Sequence, residues 1–192
     1  MDMFLQAGVL WNVTMGEAPM PEFDVKIVTS DGGPVMALNQ VPIIPACAMH
    51  DIKDADVIIL PSQGFHFNAR DKDHSDRIEW LKTWYEKGSD LASVCAGAFT
   101  LASTGLLNGK TATTHWGMAK QFAKDFPEVD LRTDLLVTDE GRLFCGGHYR
   151  RSEFIAVSYR EILWAGNRAA KRAMHFGRPR SYQPVAVCEF QS

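Results

Sequence analysis

Cysteine is scarce in this sequence, and its few copies lie far apart. The 192 residues contain four, Cys47, Cys95, Cys145 and Cys188, with no C-x-x-C pair among them. A secreted domain stabilised by disulfides is shorter and much richer in cysteine. We therefore expect reduced thiols and a cytoplasmic location.

Long apolar runs are absent as well. The amino terminus lacks the basic region and apolar run of a signal peptide, and no stretch approaches the roughly 20 apolar residues of a membrane-spanning helix. We expect no membrane partner.

Positive charge is not gathered into a stripe. The 20 Lys and Arg residues are scattered among 23 Asp and Glu residues, which gives a net charge of −3. The most basic part, residues 168–180, repeats its charges at about helical spacing, which is typical of a solvated face. The chain by itself is thus a poor candidate for binding DNA.

Linkers, internal repeats and low-complexity tracts are also missing. A hydrophobic content of 46% and a charged content of 22% are ordinary for a globular protein. We therefore expect one domain over residues 1–192, since domains commonly run to about 100–200 residues.

Strand and helix patterns alternate through the first half of the chain. Short β-branched or apolar runs predict buried strands at residues 23–29, 55–60 and 91–94. Helical spacing of apolar residues predicts a helix at 75–87, and small residues before a glycine predict another at 96–104.

The second half continues this alternation. Further predictions are a strand at 111–114, a hairpin of strands 135–138 and 142–145, and helices at 152–165 and 167–175. Alternating strands and helices form βαβ units. The predicted fold class is therefore α/β, a three-layer sandwich with a mainly parallel sheet.

Cys95 follows a predicted buried strand and precedes a predicted helix. Ser93 and Gly97, two positions to either side, are small enough for the sharp turn of a nucleophile elbow. Such a turn displays the thiol at the carboxyl end of the sheet, where ligands bind, and directs the Ala96 amide towards an oxyanion. The helix end favours the thiolate. The alternative is an inert buried cysteine, the commonest fate of a free thiol.

Residues 94–116, VCAGAFTLASTGLLNGKTATTHW, resemble the central motif of the ThiJ/PfpI superfamily, whose fold is flavodoxin-like and class I glutamine amidotransferase-like. The similarity is greatest to the sensory half of AraC-type transcriptional regulators and to isonitrile hydratase-like enzymes. Weaker matches occur in the expected order along most of the chain: DMFLQAGVLWN, FDVKIVTSDGGPV, DVIILPSQGF, VTDEGRLFCGGHYRRSEF and RPRSYQPVAV.

The resemblance implies roles for several residues. Cys95 takes the nucleophile position, and the Ala96 amide is one oxyanion donor. The loop at Ser62, Gln63 and Gly64 supplies the other donor, although many relatives have two glycines directly after the proline. His115 falls where relatives place a histidine near the cysteine.

Two departures from the family pattern weaken the case for an enzyme. Ala96 stands where proteolytic relatives have a histidine. The chain begins inside the first helix, so the first strand and the acidic residue after it are missing, and Asp2 matches a later helical position. A misassigned start, a truncated sequence or a rearranged sheet would each explain this.

A zinc site is the main alternative use of the cysteines. Cys47 with His50, and Cys145 with His148, are both C-x-x-H pairs that would together make four ligands. Structural zinc knuckles rarely interrupt a sheet of this kind, so we expect no metal and no cofactor.

The function we predict is a ligand-sensing, amidotransferase-like domain of an AraC-type transcriptional regulator, without robust catalysis and without the DNA-binding region. The resemblance implies a homodimer with a small-molecule ligand. The rivals are a cysteine-dependent hydratase or amidase, in which His115 is the base, and a thiol-based stress protein.

Overall fold

A computed structural model describes residues 9–21, 23–37, 40–62, 72–147 and 183–188. Four α-helices occur in this part of the chain: α1 (Leu10–Thr14), α2 (Lys72–Lys87), α3 (Gly97–Ser103) and α4 (Ala119–Asp125). The strands are β1 (Phe23–Thr29), β2 (Val35–Met36), β3 (Pro42–Ile43), β4 (Cys47–Ala48), β5 (Val57–Leu60), β6 (Asp90–Val94), β7 (Thr111–Ala112), β8 (Asp130–Leu131), β9 (Val137–Asp139), β10 (Leu143–Gly146) and β11 (Gln183–Cys188).

Seven of these strands form one mixed sheet, in the order β4-β1-β11-β5-β6-β10-β9. All neighbouring pairs are parallel except β10 and β9, which form an antiparallel hairpin. A mainly parallel sheet is therefore confirmed for the described residues. β2 with β3 and β7 with β8 form two small separate sheets.

The central strands are buried because their sequences suit a sheet covered on both faces. Every residue of β5, VIIL, is buried, and so are the first four residues of β6. The alternation of helices and strands predicted these elements. Against the predictions, α2 begins three residues earlier and the strand at 111–114 is limited to Thr111–Ala112. The helices predicted at 152–165 and 167–175 lie outside the described residues.

Helix α2 packs its tryptophans into the core. Trp80 and Trp84 are both buried and meet edge to face, with ring centroids 5.9 Å apart. The end of α2 is held by Arg142, whose guanidinium donates to the Tyr85 carbonyl at 2.8 Å and lies over the Tyr85 ring. A cation beside the last carbonyls of a helix stabilises it. Among the described residues, no helix has the length and apolar character needed to cross a bilayer.

The sheet position between β1 and β5 is occupied by β11, from the far end of the chain. Phe23 to Val28 of β1 pair with residues 183–188, which on their other side pair with β5.

The β10 strand carries a thiol enclosed by the sheet. Cys145 is fully buried and lies directly between Ser93 of β6 and Thr138 of β9. Burial raises the pKa of the Cys145 thiol, and the Ser93 hydroxyl only partly opposes this effect. The folded protein therefore keeps Cys145 protonated at a pH where the unfolded chain has begun to lose that proton.

This shift predicts a loss of stability at alkaline pH. Because the folded pKa is raised, the stabilisation is present below the ordinary value near 9.0 and is lost as the pH rises above it. Between about pH 8 and pH 10, a Cys145→Ala variant should lose less unfolding free energy than the wild type. Urea titrations under reducing conditions measure this. Leu143→Ala, a core truncation on the same strand, should keep the wild-type pH slope, and equal slopes for all three proteins would contradict the assignment.

Candidate functional site

Cys95 occupies a strained turn between β6 and α3. Its φ is +57°, and Gln40 is the only other non-glycine residue with a positive φ in the described part of the chain. This conformation costs a non-glycine residue free energy, so the surroundings must hold it in place. One such restraint is the Cys95 amide, which donates to the Gly146 carbonyl of β10 at 2.8 Å. The predicted positive φ at Cys95 is confirmed.

The start of α3 lies directly against the carboxyl end of β5. A Cβ atom at Gly97 would lie 2.2 Å from the Leu60 carbonyl oxygen and 2.8 Å from that of Pro61. Only glycine allows this close approach of two backbones. The contact brings the Cys95 turn beside Pro61, the residue before Ser62, and the predicted place of Cys95 beside the loop from Ser62 to Gly64 stays a prediction. Gln63 and Gly64 lie outside the described residues.

A third segment joins this edge of the sheet through Thr114. Its hydroxyl donates to the Cys95 carbonyl at 3.1 Å. Gly147, just after β10, packs so closely on this segment that a Cβ there would lie 2.8 Å from the Thr113 hydroxyl oxygen. Sequence reasoning missed both contacts. The available signals were a threonine before the histidine of TTHW and the paired glycines that end β10.

His115 follows Thr114, and its ring is held by a backbone amide two residues later. Its Nδ1 accepts a hydrogen bond from the Gly117 amide at 3.0 Å, and its ring stacks on Trp116 with centroids 5.3 Å apart. In the neutral ring the proton is therefore carried by Nε2. His115 is half-buried, whereas 46% of Trp116 is exposed.

The Ala96 amide is the group available to an anion at this turn. Ala96 precedes α3, is buried, and within the described residues its amide donates no hydrogen bond. The Cys95 amide is engaged by Gly146 and is not available. The turn therefore offers a half-buried thiol beside one unused backbone donor.

The two C-x-x-H pairs cannot share a metal ion. Cys47 lies on β4 and Cys145 on β10, five positions apart in the sheet and so roughly 24 Å from each other. His148 lies outside the described residues. In the part of the chain that the structure describes, no three His, Cys, Asp or Glu side chains are grouped as metal ligands would be.

Comparison with known proteins places the chain among proteins of similar sequence and fold. The model of the DJ-1/PfpI family matches residues 9–142. The HTH-type transcriptional regulator CdhR of Pseudomonas aeruginosa is 26% identical over 121 residues, which are 63% of this chain and 35% of CdhR. Isonitrile hydratase of Pseudomonas putida is 29% identical over 130 residues, which are 68% of this chain and 55% of the hydratase. The chain thus spans about a third to a half of the length of these curated relatives.

The fold is shared with solved structures. A protein from Vibrio parahaemolyticus described as a transcriptional regulator superposes with a TM-score of 0.64 at 20% identity, covering 90% of this chain and 92% of the other. The likeness shows the fold, which is flavodoxin-like and class I glutamine amidotransferase-like, as predicted. The packing of helices on both faces of the sheet stays a prediction.

The contact at Gly97 predicts a costly substitution. In Gly97→Ala the new methyl group meets backbone carbonyls that cannot turn away, so α3 must shift. We expect a loss of about 1–3 kcal/mol in unfolding free energy and a changed reactivity of Cys95. Urea unfolding and thiol labelling measure the two effects. In the control, Gly33→Ala, the nearest atom to the new methyl group is an oxygen of the exposed Asp31 carboxylate at 3.1 Å, and a small shift that weakens the hydrogen bond from the Gly33 amide to this carboxylate relieves the contact. Equal stabilities of the two variants would refute the close approach.

Proposed function

The chain belongs to the DJ-1/PfpI family, and we propose that it is a ligand-sensing, amidotransferase-like domain of an AraC-type transcriptional regulator, without robust catalysis of its own. The observation that carries the proposal is the hydrogen bond from the Gly117 amide to Nδ1 of His115, which removes the expected base. The similarity to CdhR, which is by name a transcriptional regulator, supports the regulatory role.

In this proposal the Cys95 turn is a nucleophile elbow used for recognition. The positive φ displays the thiol at the edge of the sheet, and the Ala96 amide faces an anionic or carbonyl oxygen of the ligand. The loop that starts at Ser62 contributes a second wall, with Gln63 and Gly64 as further donors. Parallel sheets bind ligands beyond the carboxyl ends of their strands, where all these residues belong.

Catalysis by Cys95 would need a group that accepts the thiol proton. A neutral imidazole has one protonated and one unprotonated nitrogen. In His115 the unprotonated Nδ1 already accepts from Gly117, and Nε2 carries the proton. In this state His115 has no unprotonated nitrogen left to take a proton from Cys95. Without acid–base assistance a reaction loses about 10²–10⁴-fold in rate.

DNA contact belongs, in this proposal, to a separate helix-turn-helix region outside these 192 residues. The net charge of −3 and the lack of a basic stripe agree with a domain that does not itself bind phosphates. The matched part of CdhR accounts for 35% of that protein, so a sensory domain of this kind occupies only a share of a whole regulator.

The second candidate is a cysteine-dependent hydratase or amidase. The observation in its favour is the 29% identity to isonitrile hydratase over 130 residues. It requires His115 to release Gly117 and present an unprotonated nitrogen to Cys95. A thiol-based stress protein is the third candidate and would depend on selective oxidation of Cys95.

Thiol chemistry separates the sensor from the enzyme. We expect iodoacetamide to label Cys95 faster than Cys47 or Cys188, and about tenfold or more faster than the buried Cys145. Hydrolysis of amides and hydration of isonitriles should stay at the level of Cys95→Ala. Labelling rates come from mass spectrometry of timed digests. Wild-type turnover that disappears in Cys95→Ala would favour the enzyme hypothesis over the sensor hypothesis. Uniformly slow labelling of all four cysteines would instead indicate that Cys95 is a buried structural residue.

We also propose a two-fold homodimer that uses the uncharged segment 32–49. This segment contains no Asp, Glu, Lys or Arg, yet Met36, Val41 and Ile44 are 56%, 52% and 78% exposed. At a two-fold interface the same surface patch of each copy is used, so an apolar segment without charge avoids repulsion there. A specific dimer buries at least about 1,200 Å².

Light scattering at micromolar concentration should return the dimer mass. Ile44→Glu should give a monomer, because it would bury an unpaired charge in an apolar contact. Lys120→Glu, an exposed change on α4, serves as the control and should leave the dimer intact. A monomeric wild type would rule out the dimer, and a dimeric Ile44→Glu variant would place the interface elsewhere.

A further inference from the structure

Thr114 carries a buried hydroxyl group beside Cys95. The residue is 2% exposed, and its hydroxyl donates to the Cys95 carbonyl at 3.1 Å. A buried hydroxyl without a partner is costly, and the branched threonine side chain has few rotamers, so this hydrogen bond holds both groups in one orientation. The same carbonyl also accepts from the Ala98 amide, at a longer distance of 3.4 Å. The Cys95 carbonyl is thus directed towards the protein interior.

The Cys95 carbonyl and the Ala96 amide belong to one peptide unit. No peptide bond of the described residues is cis, and in a planar trans peptide the C=O and N–H bonds point in opposite directions. A hydrogen bond that directs the Cys95 carbonyl towards Thr114 therefore directs the Ala96 N–H away from Thr114. The amide that donates no hydrogen bond within the described residues is thus oriented by a side chain from 19 residues later in the chain of the neighbouring Cys95.

Each of the two peptide units that flank the Cys95 α-carbon is fixed by a hydrogen bond to a different element. The preceding unit donates through the Cys95 amide to the Gly146 carbonyl at 2.8 Å, and the following unit accepts from Thr114. Because φ and ψ are the rotations of these units about the α-carbon, the two hydrogen bonds restrict both angles. The φ of +57° at Cys95 is a strained value that persists only under such restraint. Removal of the Thr114 hydroxyl should therefore allow the Cys95–Ala96 peptide to turn.

The segment that carries Thr114 is itself anchored to another part of the chain. The hydroxyl of Thr113 donates to the Leu135 carbonyl at 2.9 Å, and a Cβ at Gly147 would lie 2.8 Å from that hydroxyl oxygen. Of these two consecutive threonines, Thr113 holds the segment to the chain that leads into β9, and Thr114 holds the Cys95 turn to the segment. The orientation of the peptide is therefore set by a supported side chain.

We propose that Thr114 is a positioning residue of the ligand site, which aims the Ala96 N–H at an anionic or carbonyl oxygen of the ligand through its hydrogen bond to the Cys95 carbonyl. The inference rests on the proposed use of this amide in recognition, and it holds for a sensor and for an enzyme alike. A carbonyl that accepts a hydrogen bond also polarises the amide of the same peptide, which strengthens the N–H as a donor. The role requires the hydroxyl at position 114 and not only the bulk of the side chain.

Selective isotope labelling isolates this peptide. The sequence contains two Cys–Ala pairs, Cys47–Ala48 and Cys95–Ala96. Protein labelled with carbon-13 at the cysteine carbonyl and with nitrogen-15 in alanine therefore gives two signals in a nuclear magnetic resonance spectrum that correlates each amide with the preceding carbonyl. A Cys47→Ser variant identifies the Cys47–Ala48 signal, which then serves as an internal reference.

Two variants at position 114 separate the hydroxyl from the bulk. Thr114→Val removes the hydroxyl at nearly unchanged size, and Thr114→Ala takes its place if the valine variant does not fold. We expect the Cys95–Ala96 signal to move, with the Cys95 carbonyl carbon upfield because it has lost a hydrogen bond. Thr114→Ser keeps the hydroxyl, so its signal should stay near that of the wild type.

The matched control is Thr104→Val. It also removes a buried hydroxyl, one that donates to the Leu101 carbonyl at 2.6 Å at the other end of α3. This change has a comparable structural cost but does not touch the Cys95–Ala96 peptide. Both signals should therefore stay in place.

Acetate, titrated at constant ionic strength, tests the donor role with a simple oxygen anion. In the wild type the Ala96 amide proton should move downfield and reach a plateau. In Thr114→Val the acetate affinity read from this signal should fall about tenfold or more, because a hydrogen bond to a charged group is lost. Thr114→Ser and Thr104→Val should bind acetate as the wild type does.

The possible outcomes distinguish this inference from the proposed function. A Cys95–Ala96 signal that is unmoved in Thr114→Val, or equal acetate affinities in Thr114→Val and Thr104→Val, would overturn the positioning role. A wild-type Ala96 amide that does not respond to acetate would overturn its use as an oxygen donor, and the role of Thr114 with it. Turnover that depends on Cys95 would replace the sensor with an enzyme, whereas the predicted shifts in the same protein would still support the role of Thr114.

Discussion

The candidate site depends on one close contact, the meeting of α3 with the carboxyl end of β5. Gly97 brings its backbone so near to the Leu60 carbonyl that no side chain fits between them. This contact sets the direction in which the chain leaves β6, and the positive φ at Cys95 is the cost of making that turn. The hydrogen bonds from the Cys95 amide to Gly146 and from Thr114 to the Cys95 carbonyl then hold both sides of the strained residue.

The chemistry at the carboxyl edge of the sheet depends on which polar groups already make hydrogen bonds within the protein. A thiol on a strained turn, beside an amide that donates no hydrogen bond within the described residues, can bind an electron-rich oxygen. Proton transfer needs a side chain with an open lone pair, and His115 has its Nδ1 engaged by Gly117. In the proposed sensor, the family fold keeps a backbone donor beside the thiol without the acid–base step, and in this way a fold common to enzymes would serve for recognition.

The interior position of β11 has a physical consequence for the whole sheet. A strand that pairs on both sides satisfies two rows of backbone groups, so its loss would leave the inner edges of both β1 and β5 exposed. It is also the strand most distant in sequence from both of its neighbours. The sheet is therefore completed only when the far end of the chain has docked, which makes the site edge dependent on a long-range contact.

The local pattern of the sequence determined the elements and the turn at Cys95. The apolar run of β5 and the small residues around Cys95 have distinct signatures, because burial on two faces and a tight turn each restrict the residue types allowed. Tertiary structure alone decided the strand that fills the place between β1 and β5 and the contacts of Thr114 and Gly147. Backbone hydrogen bonds between strands far apart in the chain are made by groups common to all residues. Such pairings therefore depend little on residue type and can hardly be read from the sequence.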